Sequence, residues 1–250
     1  MSLARQINRS RMILKEYLKD EWDVSSITDY SDKDISDIYT QKVPKAPSLF
    51  FGEASACNFT LEHLEIPSHH LHVIYYNFGE LQGPPQKVTK TCSEKLQKLY
   101  DEELISRDDS LIVIFQISIT DNIKKAIEDL YIQGQEYLNV NHLSDQVTEE
   151  NESLGDHSYT QGYFRAVHAF SLAHLQFDIR NHIHVPQQRL IRNKNEINTI
   201  LESTNTTLNQ LPAILRTDIQ ARALRMSPGD LCEITRRSGV GDVVSYRVCI

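Results

Sequence analysis

Residues 210–250 carry the pattern that decides the fold of the C-terminal part of the chain: QLPAILRTDIQARALRMSPGDLCEITRRSGVGDVVSYRVCI. The turn signal Ser227-Pro228-Gly229-Asp230 precedes a strand pattern at 231–236. A glycine-containing break at 238–242 separates it from a second strand pattern at 243–250. The spacing therefore predicts two consecutive strands at the end of the chain.

Short matches to a known family lie in this stretch, in the family's order and at nearly its spacing: Leu211-Pro212, Asp218, Ala221-Arg222, Gly229-Asp230, Ile234, Arg236, Ser238 and Ser245-Tyr246-Arg247. Upstream, His182-Ile183-His184-Val185-Pro186 with Leu190 is similar to the family's His-x-x-Val-Pro opening. The segment resembles the C-terminal assembly domain of the fifth subunit shared by eukaryotic RNA polymerases I, II and III, a family that includes its archaeal counterpart.

The resemblance implies that residues 179–250 dock on the largest polymerase subunit. The residues expected to make this contact are His182, Val185, Pro186, Leu211, Pro212, Asp218, Arg222, Gly229, Ser245, Tyr246 and Arg247. Arginine is enriched at interface hot spots, which suits Arg222 and Arg247. Alternation along 243–250 predicts one face in the domain core and the other presenting Arg247 to a partner.

Several positions depart from the family pattern. Ile219 replaces the proline that usually follows the aspartate at 218, and Arg225 replaces a common glycine. The loop at 238–242 is about one residue shorter than is usual in the family. These departures indicate a divergent member, for which we expect an origin in a large DNA virus or a distant protist.

Composition bounds the class of protein. The chain has 250 residues, 40% of them hydrophobic and 24% charged, which is ordinary for a globular protein. No apolar run approaches the ~20 residues that span a bilayer, and the N-terminus shows no secretory signal. The four cysteines form no CxxC pair, which favours a reducing intracellular compartment over a disulfide framework.

The charge is distributed unevenly along the chain. The formal net charge is −8, yet residues 179–250 hold 10 Lys+Arg against 6 Asp+Glu. Residues 1–178 hold the remaining 16 Lys+Arg and 28 Asp+Glu. Because residues 1–178 are strongly acidic, they cannot bind nucleic acid tightly by neutralising phosphates alone. We expect any DNA contact to be a minor contribution within a larger basic complex.

Hydrophobic periodicity outlines the N-terminal part. Residues 3–19 predict an amphipathic helix, with Leu3, Ile7, Leu14 and Leu18 on one face. Strand-like runs follow at 49–51 and 72–78, then a helix at 91–106, a buried strand at 110–119 and a further amphipathic helix. A strand-like pattern returns at 166–179. The predicted fold class is therefore α+β, an α/β N-terminal domain and a small mixed C-terminal one.

The strand and helix around residue 120 are similar to the family's jaw domain, which flanks incoming DNA. The family's turn contains Thr-Pro, whereas this chain has Thr120 without the proline. Thr120 or Asp121 is suited to cap the helix. The resemblance implies weak phosphate contacts from Thr120, Lys124 and Lys125.

The expected domains are therefore a jaw-like domain at 1–178 and an assembly domain at 179–250. Residues 142–162 are polar, acidic and without periodicity, which predicts a surface loop.

The sequence gives weaker evidence for a catalytic or metal-binding function than for a polymerase subunit. His63, His69, His70 and His72 cluster, and imidazole is a common metal ligand, but no Cys or carboxylate spacing completes a site. A packing or solvated role is favoured over a metalloenzyme. The sequence has no G-x-S-x-G elbow and no P-loop, so no nucleophile or phosphate cradle is indicated.

The sequence thus predicts a non-catalytic subunit of a multisubunit DNA-directed RNA polymerase, with no cofactor, no membrane and no small-molecule substrate of its own. Its partners would be the largest subunit, other core subunits and downstream duplex DNA. It would reside in the nucleus with the polymerase, or in a virion or cytoplasmic factory if viral. The alternative is a free-standing transcription regulator that binds polymerase through the same domain.

Overall fold

A computed structural model describes the chain over residues 1–40, 52–66, 68–88, 91–140, 166–239 and 241–250. The chain divides into two compact units. The first is Met1–Glu136 with Val167–Phe177, and the second is Asp178–Ile250 together with Tyr137–Ala166. Each unit contains helices and a four-stranded mixed sheet, so the predicted α+β class is confirmed. None of the helices in the described ranges has the length and apolar character needed to cross a membrane.

The described residues before 141 contain the α-helices α1 Leu3–Leu18, α2 Asp32–Thr40, α3 Cys92–Asp101 and α4 Asp121–Val140. Ser2 caps α1 by accepting a hydrogen bond from the Arg5 N–H at 3.4 Å. The predicted apolar face of α1 is buried as expected. Helix α3 ends earlier than predicted, because Glu103 adopts a left-handed φ of 54° and the Leu104 N–H turns back to the Leu99 carbonyl.

The first sheet has the order β1-β2-β3-β4, with β1 Phe59–Glu62, β2 His70–Tyr76, β3 Ser110–Phe115 and β4 Val167–Ser171. β1 is antiparallel to β2, and the other pairs are parallel. Every residue of β3 is buried, as a strand with two neighbours and two covered faces requires. The strand stops at Phe115 rather than 119, where the register with β4 also ends. The strand predicted at 49–51 and the loop predicted at 142–162 lie outside the described residues.

The second unit contains β5 Gln187–Ile191, α5 Lys194–Thr204, β6 Ala213–Ile214, α6 Ile219–Ala223, β7 Leu231–Ser238 and β8 Gly241–Cys249. Its sheet has the order β5-β7-β8-β6. β7 and β8 are the two predicted strands. Their antiparallel register extends to Ser238↔Gly241, so the hairpin is tighter than the predicted break at 238–242.

Both faces of this second sheet are covered near the end of β8. Leu231 and Val248 pack against α5, while the neighbouring Cys232 and Cys249 lie on the opposite face with Ala221 of α6. Cys249 is buried, so the expectation of one outward-facing side along 243–250 is wrong there. The reason is that α6, only five residues long, covers the face assigned to solvent.

Candidate subunit interface

The turn before β7 aligns the last two strands. Pro228 and Gly229 occupy its central positions, Gly229 has a φ of 96°, and the Asp230 N–H bonds the Ser227 carbonyl at 3.0 Å. A positive φ at the third position is what glycine supplies in a type II turn. The Gly229 N–H then donates to the Cys249 carbonyl at 3.1 Å, so this predicted contact residue ties the turn to β8.

A buried ion pair lies behind this turn. The Arg192 Nε donates to Asp230 Oδ2 at 3.2 Å, and the two side chains are 5% and 0% exposed. The same carboxylate accepts the Ser227 N–H at 2.8 Å, and Arg192 Nη2 donates to the Arg225 carbonyl at 2.6 Å. Sequence reasoning named Asp230 as a turn residue and missed Arg192, because nothing local in the sequence links positions 38 residues apart.

Arg225 has an unusual backbone conformation. Its φ is 54°, in the left-handed region that glycine occupies without strain, and the residue is buried. This is the position where the resembled family commonly has glycine. The conformation supplies the physical reason for that glycine, because it directs the carbonyl to Arg192.

Five predicted contact residues lie on β8 or beside its end, where β6 meets β8. The Val248 N–H donates to the Pro212 carbonyl at 3.0 Å, which brings Leu211 and Pro212 beside the end of β8. Arg247 Nη1 lies 3.5 Å from the Ala213 carbonyl, and Tyr246 donates its hydroxyl to Glu233 at 3.4 Å. Ser245, further along β8, is exposed. Of these residues, Leu211, Pro212 and Arg247 lie towards β6, whereas the Tyr246 hydroxyl is directed to β7.

Two more predicted residues lie on α6. Asp218 caps this helix by accepting the Gln220 N–H at 2.8 Å, as expected from the sequence. Arg222 is half-buried, and burial lowers the pKa of its guanidinium against the opposing effect of Asp218. An arginine that is partly desolvated in this way is suited to pairing with a carboxylate of a partner.

The remaining residues from the predicted set lie before β5, at the opposite edge of the sheet from β6. His182 is exposed, and its ring lies 5.5 Å from that of His184. The Val185 N–H donates to the His182 carbonyl at 2.8 Å, which forms a turn, and Val185 and Pro186 are half-buried. The predicted contact residues therefore divide between two edges and α6, rather than forming one cluster.

In the first unit, the predicted nucleic-acid residues lie at the start of α4. Thr120, Lys124 and Lys125 are exposed, and Lys124 forms an ion pair with Asp121 at 3.0 Å. Glu128 and Asp129 follow one turn later. The local charge is thus not positive overall, so this end of α4 does not by itself attract phosphates strongly.

The four clustered histidines separate into two pairs. His63 and His69 pack on Trp22, with ring centroids 5.0 and 5.2 Å from it. Burial, followed by the nearby His63, lowers the pKa of His69 to about 3. Nowhere in the described ranges do three or more His, Cys, Asp or Glu residues form a group able to hold a metal ion.

His70 and His72 instead converge on Asp109, a nearly buried carboxylate at the start of β3. Asp109 accepts the His70 N–H at 2.8 Å and pairs with His72 Nε2 at 3.1 Å, while Thr60 contacts the other His72 nitrogen at 3.0 Å. Burial alone would raise the pKa of Asp109, but the hydrogen bonds from His72 and the His70 N–H outweigh it, and the pKa is lowered. Since Thr60 and His72 face each other in the β1–β2 register, this chain of side chains joins three strands.

Comparison with known proteins matches the second unit. The family model described as RNA polymerase Rpb5, C-terminal domain, matches residues 177–249. DNA-directed RNA polymerase subunit Rpo5 of Pyrococcus horikoshii is 38% identical over 71 residues, which are 28% of this chain and 85% of that protein. Rpo5 of Thermofilum pendens is 38% identical over 74 residues, 29% of this chain and 91% of the relative.

A third relative extends the same match. Rpo5 of Methanosphaera stadtmanae is 35% identical over 75 residues, 30% of this chain and 96% of that protein. These relatives align with this chain over most of their own length. The residues that the family model matches contain the Arg192–Asp230 pair and the β7–β8 hairpin. The chain therefore belongs to the family of DNA-directed RNA polymerase subunits that comprises Rpb5 and Rpo5.

Proposed function

We propose that this chain is a non-catalytic subunit of a multisubunit DNA-directed RNA polymerase. Two observations carry the proposal: the family model matches residues 177–249, and the archaeal relatives are matched over most of their own length. Polymerisation and its metal ions would belong to other subunits. The described residues contain no carboxylate cluster of the kind that two-metal phosphoryl transfer uses.

We further propose that residues 179–250 dock on the largest subunit. The support is the excess of basic residues over 179–250, the partly desolvated Arg222, and exposed apolar side chains at Ile183, Leu215 and Ile250. Leu215 and Ile250 lie next to each other, because the Arg216 N–H donates to the Ile250 carbonyl at 2.9 Å. Apolar side chains beside arginines are typical of interface centres.

Affinity purification tests both statements. The tagged full chain, washed at high salt, is expected to retain the two largest polymerase subunits at one copy each, because a core subunit is held by a large interface. A chain truncated before Asn181 is the comparison and is expected to lose them. Mass spectrometry of the retained proteins gives the result.

The outcomes separate this proposal from its alternative. Retention of polymerase at one copy per complex supports a core subunit. Polymerase that is washed away from the full chain would instead support a free-standing regulator that uses the same domain for weaker docking. Retention by the truncated chain would refute docking through 179–250.

We assign residues 1–178 to a jaw that flanks downstream DNA, with Thr120, Lys124 and Lys125 near the phosphates. The support is the exposure of all three residues at the N-terminal end of α4, where backbone N–H groups also favour anions. The complex would act in the nucleus, or in a virion or cytoplasmic factory if the chain is viral.

Charge reversal tests the DNA contact. The double change Lys124→Glu and Lys125→Glu is expected to reduce crosslinking of the assembled polymerase to downstream duplex DNA by roughly threefold at low salt, since it reverses two charges near phosphates. Lys33→Glu with Lys87→Glu, also exposed in the first unit but distant in sequence, is the control. Equal crosslinking in the two double variants would remove the DNA role of α4.

A further inference from the structure

Strand β8 has a neighbouring strand, β7, along nearly all of one side, but its other side is mostly without a neighbouring strand. β7 accompanies it from Ser238↔Gly241 to Leu231↔Val248. On its other side, β6 pairs with just Val248 and Cys249. Most of β8 is therefore an edge strand.

Hydrogen bonding defines which residues face this edge. The N–H groups of Val248 and Ile250 donate towards β6, to Pro212 and Ile214, at 3.0 Å each. Successive residues of a strand direct their backbone groups to alternate sides. The N–H and C=O groups of Asp242, Val244 and Tyr246 therefore face the same side as those of Val248. We call these three residues the outer edge of β8.

No described strand lies beside the outer edge. β6 is not extended upstream along it, because Pro212 has no N–H and Leu208–Gln210 form a 3-10 turn. Proteins usually protect such edges with lysine, proline or a bulge. Here Val243 and Val244 are 53% and 49% exposed, and the described part of the hairpin carries no lysine, proline or bulge along this edge.

The side chains flanking the outer edge differ between its two faces. Val244 and Tyr246 lie on the α5 face, with the exposed Arg237 across from Asp242. On the α6 face lie Val243, Ser245 and Arg247, with Arg236 across from Val243. An added strand would thus meet mainly apolar groups on one face and arginines on the other.

We propose that an extended segment of another polymerase subunit adds to β8 as a strand along the outer edge. The inference rests on the proposed function and names how one contact of the assembled polymerase is made. In the added segment, apolar and acidic side chains would alternate. The apolar ones would contact Val244 and Tyr246, and the acidic ones would face Arg236 and Arg247. Main-chain hydrogen bonds would supply affinity and the alternating side chains specificity, as in other strand additions.

Proline at position 244 tests the main-chain contact. Val244→Pro removes an outward N–H and leaves the bonds of Val243 and Ser245 to β7, so the hairpin is expected to persist. Retention of polymerase subunits by the tagged full chain should fall by about tenfold or more, as expected for lost main-chain bonds. Val244→Thr keeps the N–H and the branched shape and alters only the apolar contact, so it should reduce retention less than Val244→Pro does.

Hydrogen exchange of the unchanged protein is an independent test of strand addition. It does not depend on whether the Val244→Pro variant folds. In the free chain, peptides covering 241–247 should exchange in a fast phase from the outer edge and a slow phase from residues paired with β7. In the purified polymerase the fast phase should slow by about tenfold or more. If a folded Val244→Pro variant retains polymerase as well as the unchanged chain does, strand addition is overturned. The same follows if the fast phase of exchange is unchanged in the complex. Either result leaves the subunit proposal intact. Absence of polymerase from the unchanged chain's purification would overturn both.

Charge reversal tests the acidic character of the segment. Arg236→Glu should weaken retention, whereas Arg237→Glu, on the opposite face of the same strand, should have a smaller effect. Equal effects of the two changes would overturn the predicted alternation of acidic and apolar residues.

Discussion

Arg225 lies at a position where backbone conformation, rather than side-chain contact, determines which residue is preferred. A left-handed φ costs an L-residue roughly 1–2 kcal/mol, and glycine avoids this cost. In this chain the conformation is retained, because the Arg225 carbonyl accepts a hydrogen bond from the buried Arg192. The divergent residue therefore keeps the geometry of the turn while adding a buried side chain.

Two substitutions at Arg225 isolate the backbone effect. Arg225→Gly and Arg225→Ala both delete the side chain, but the glycine variant should be more stable by about 1 kcal/mol because of the positive φ. In a helix the opposite order of stability is expected, because alanine favours the helix more than glycine does. Hydrogen exchange of β7 amides measures the free energy of opening for this unit. An alanine variant as stable as the glycine variant would contradict the left-handed assignment.

The Arg192–Asp230 pair should dominate the electrostatic stability of the second unit. Arg192→Met leaves the Asp230 carboxylate buried without its cation, which costs about 3–5 kcal/mol. Arg189→Met is the matched control: Arg189 also pairs with carboxylates, Glu196 and Glu233, but its side chain is 52% exposed. Loss of such a surface pair costs below about 1 kcal/mol. Urea unfolding followed by exchange of β7 amides compares the two variants, and similar losses would contradict the buried pair.

At the scale of elements, strands depend on partners that are distant in sequence. β1, β2 and β3 are joined by hydrogen bonds from Thr60 through His72 to Asp109 as well as by their backbone register. In the second unit, β6 spans only two residues, and its shortness leaves β8 partly unpaired. The same feature that limits the sheet thus provides the edge for the strand addition proposed above.

The Asp109 contacts predict an acid dependence of stability. The folded pKa of Asp109 is lowered, so the carboxylate stabilises the fold above its unfolded pKa of about 3.9, and this contribution is lost as pH falls through the folded value. The advantage of the unchanged protein over Asp109→Asn should therefore be full at about pH 6 and shrink below about pH 4. Fluorescence of Trp22, the single tryptophan and a buried one, reports unfolding of the first unit. A difference that stays constant from about pH 6 to about pH 2.5 would contradict this prediction.

At the scale of the whole molecule, charge is segregated between the two parts of the chain. Residues 1–178 carry 28 Asp+Glu against 16 Lys+Arg, while 179–250 carry an excess of basic residues. A subunit with this distribution carries its acidic excess in residues 1–178 and its basic excess in residues 179–250. The DNA contact proposed for residues 1–178 would then depend on the rest of the polymerase for attraction.

The free protein is accordingly expected to bind duplex DNA poorly. In a titration with a duplex of about 30 base pairs at about 0.15 M salt, binding should be weaker than the ~10⁻⁴ M end of the usual non-specific range. Residues 179–250 carry the basic excess, so any residual binding should fall steeply with added salt. Micromolar binding by the free full chain would contradict the charge argument and would indicate a DNA site in its own right.

The sequence by itself determined the features that depend on neighbouring residues. The apolar face of α1, the Asp218 cap, the turn at Pro228-Gly229 and the two final strands all follow from spacing or from local backbone preference. The family was also recognisable, because its matching residues recur in order over a short segment. The element boundaries were less predictable, as at α3, where a left-handed residue ends the helix early.

The tertiary structure decided what depends on residues that are far apart in the chain. Arg192 reaches Asp230, α6 covers Cys249, and the brevity of β6 exposes the outer edge of β8. The four histidines that suggested a metal site separate in the same way, into a packed pair and a pair on Asp109. In each case the physical reason is that burial and pairing are set by strand order and register, which link distant segments and leave no local trace in the sequence.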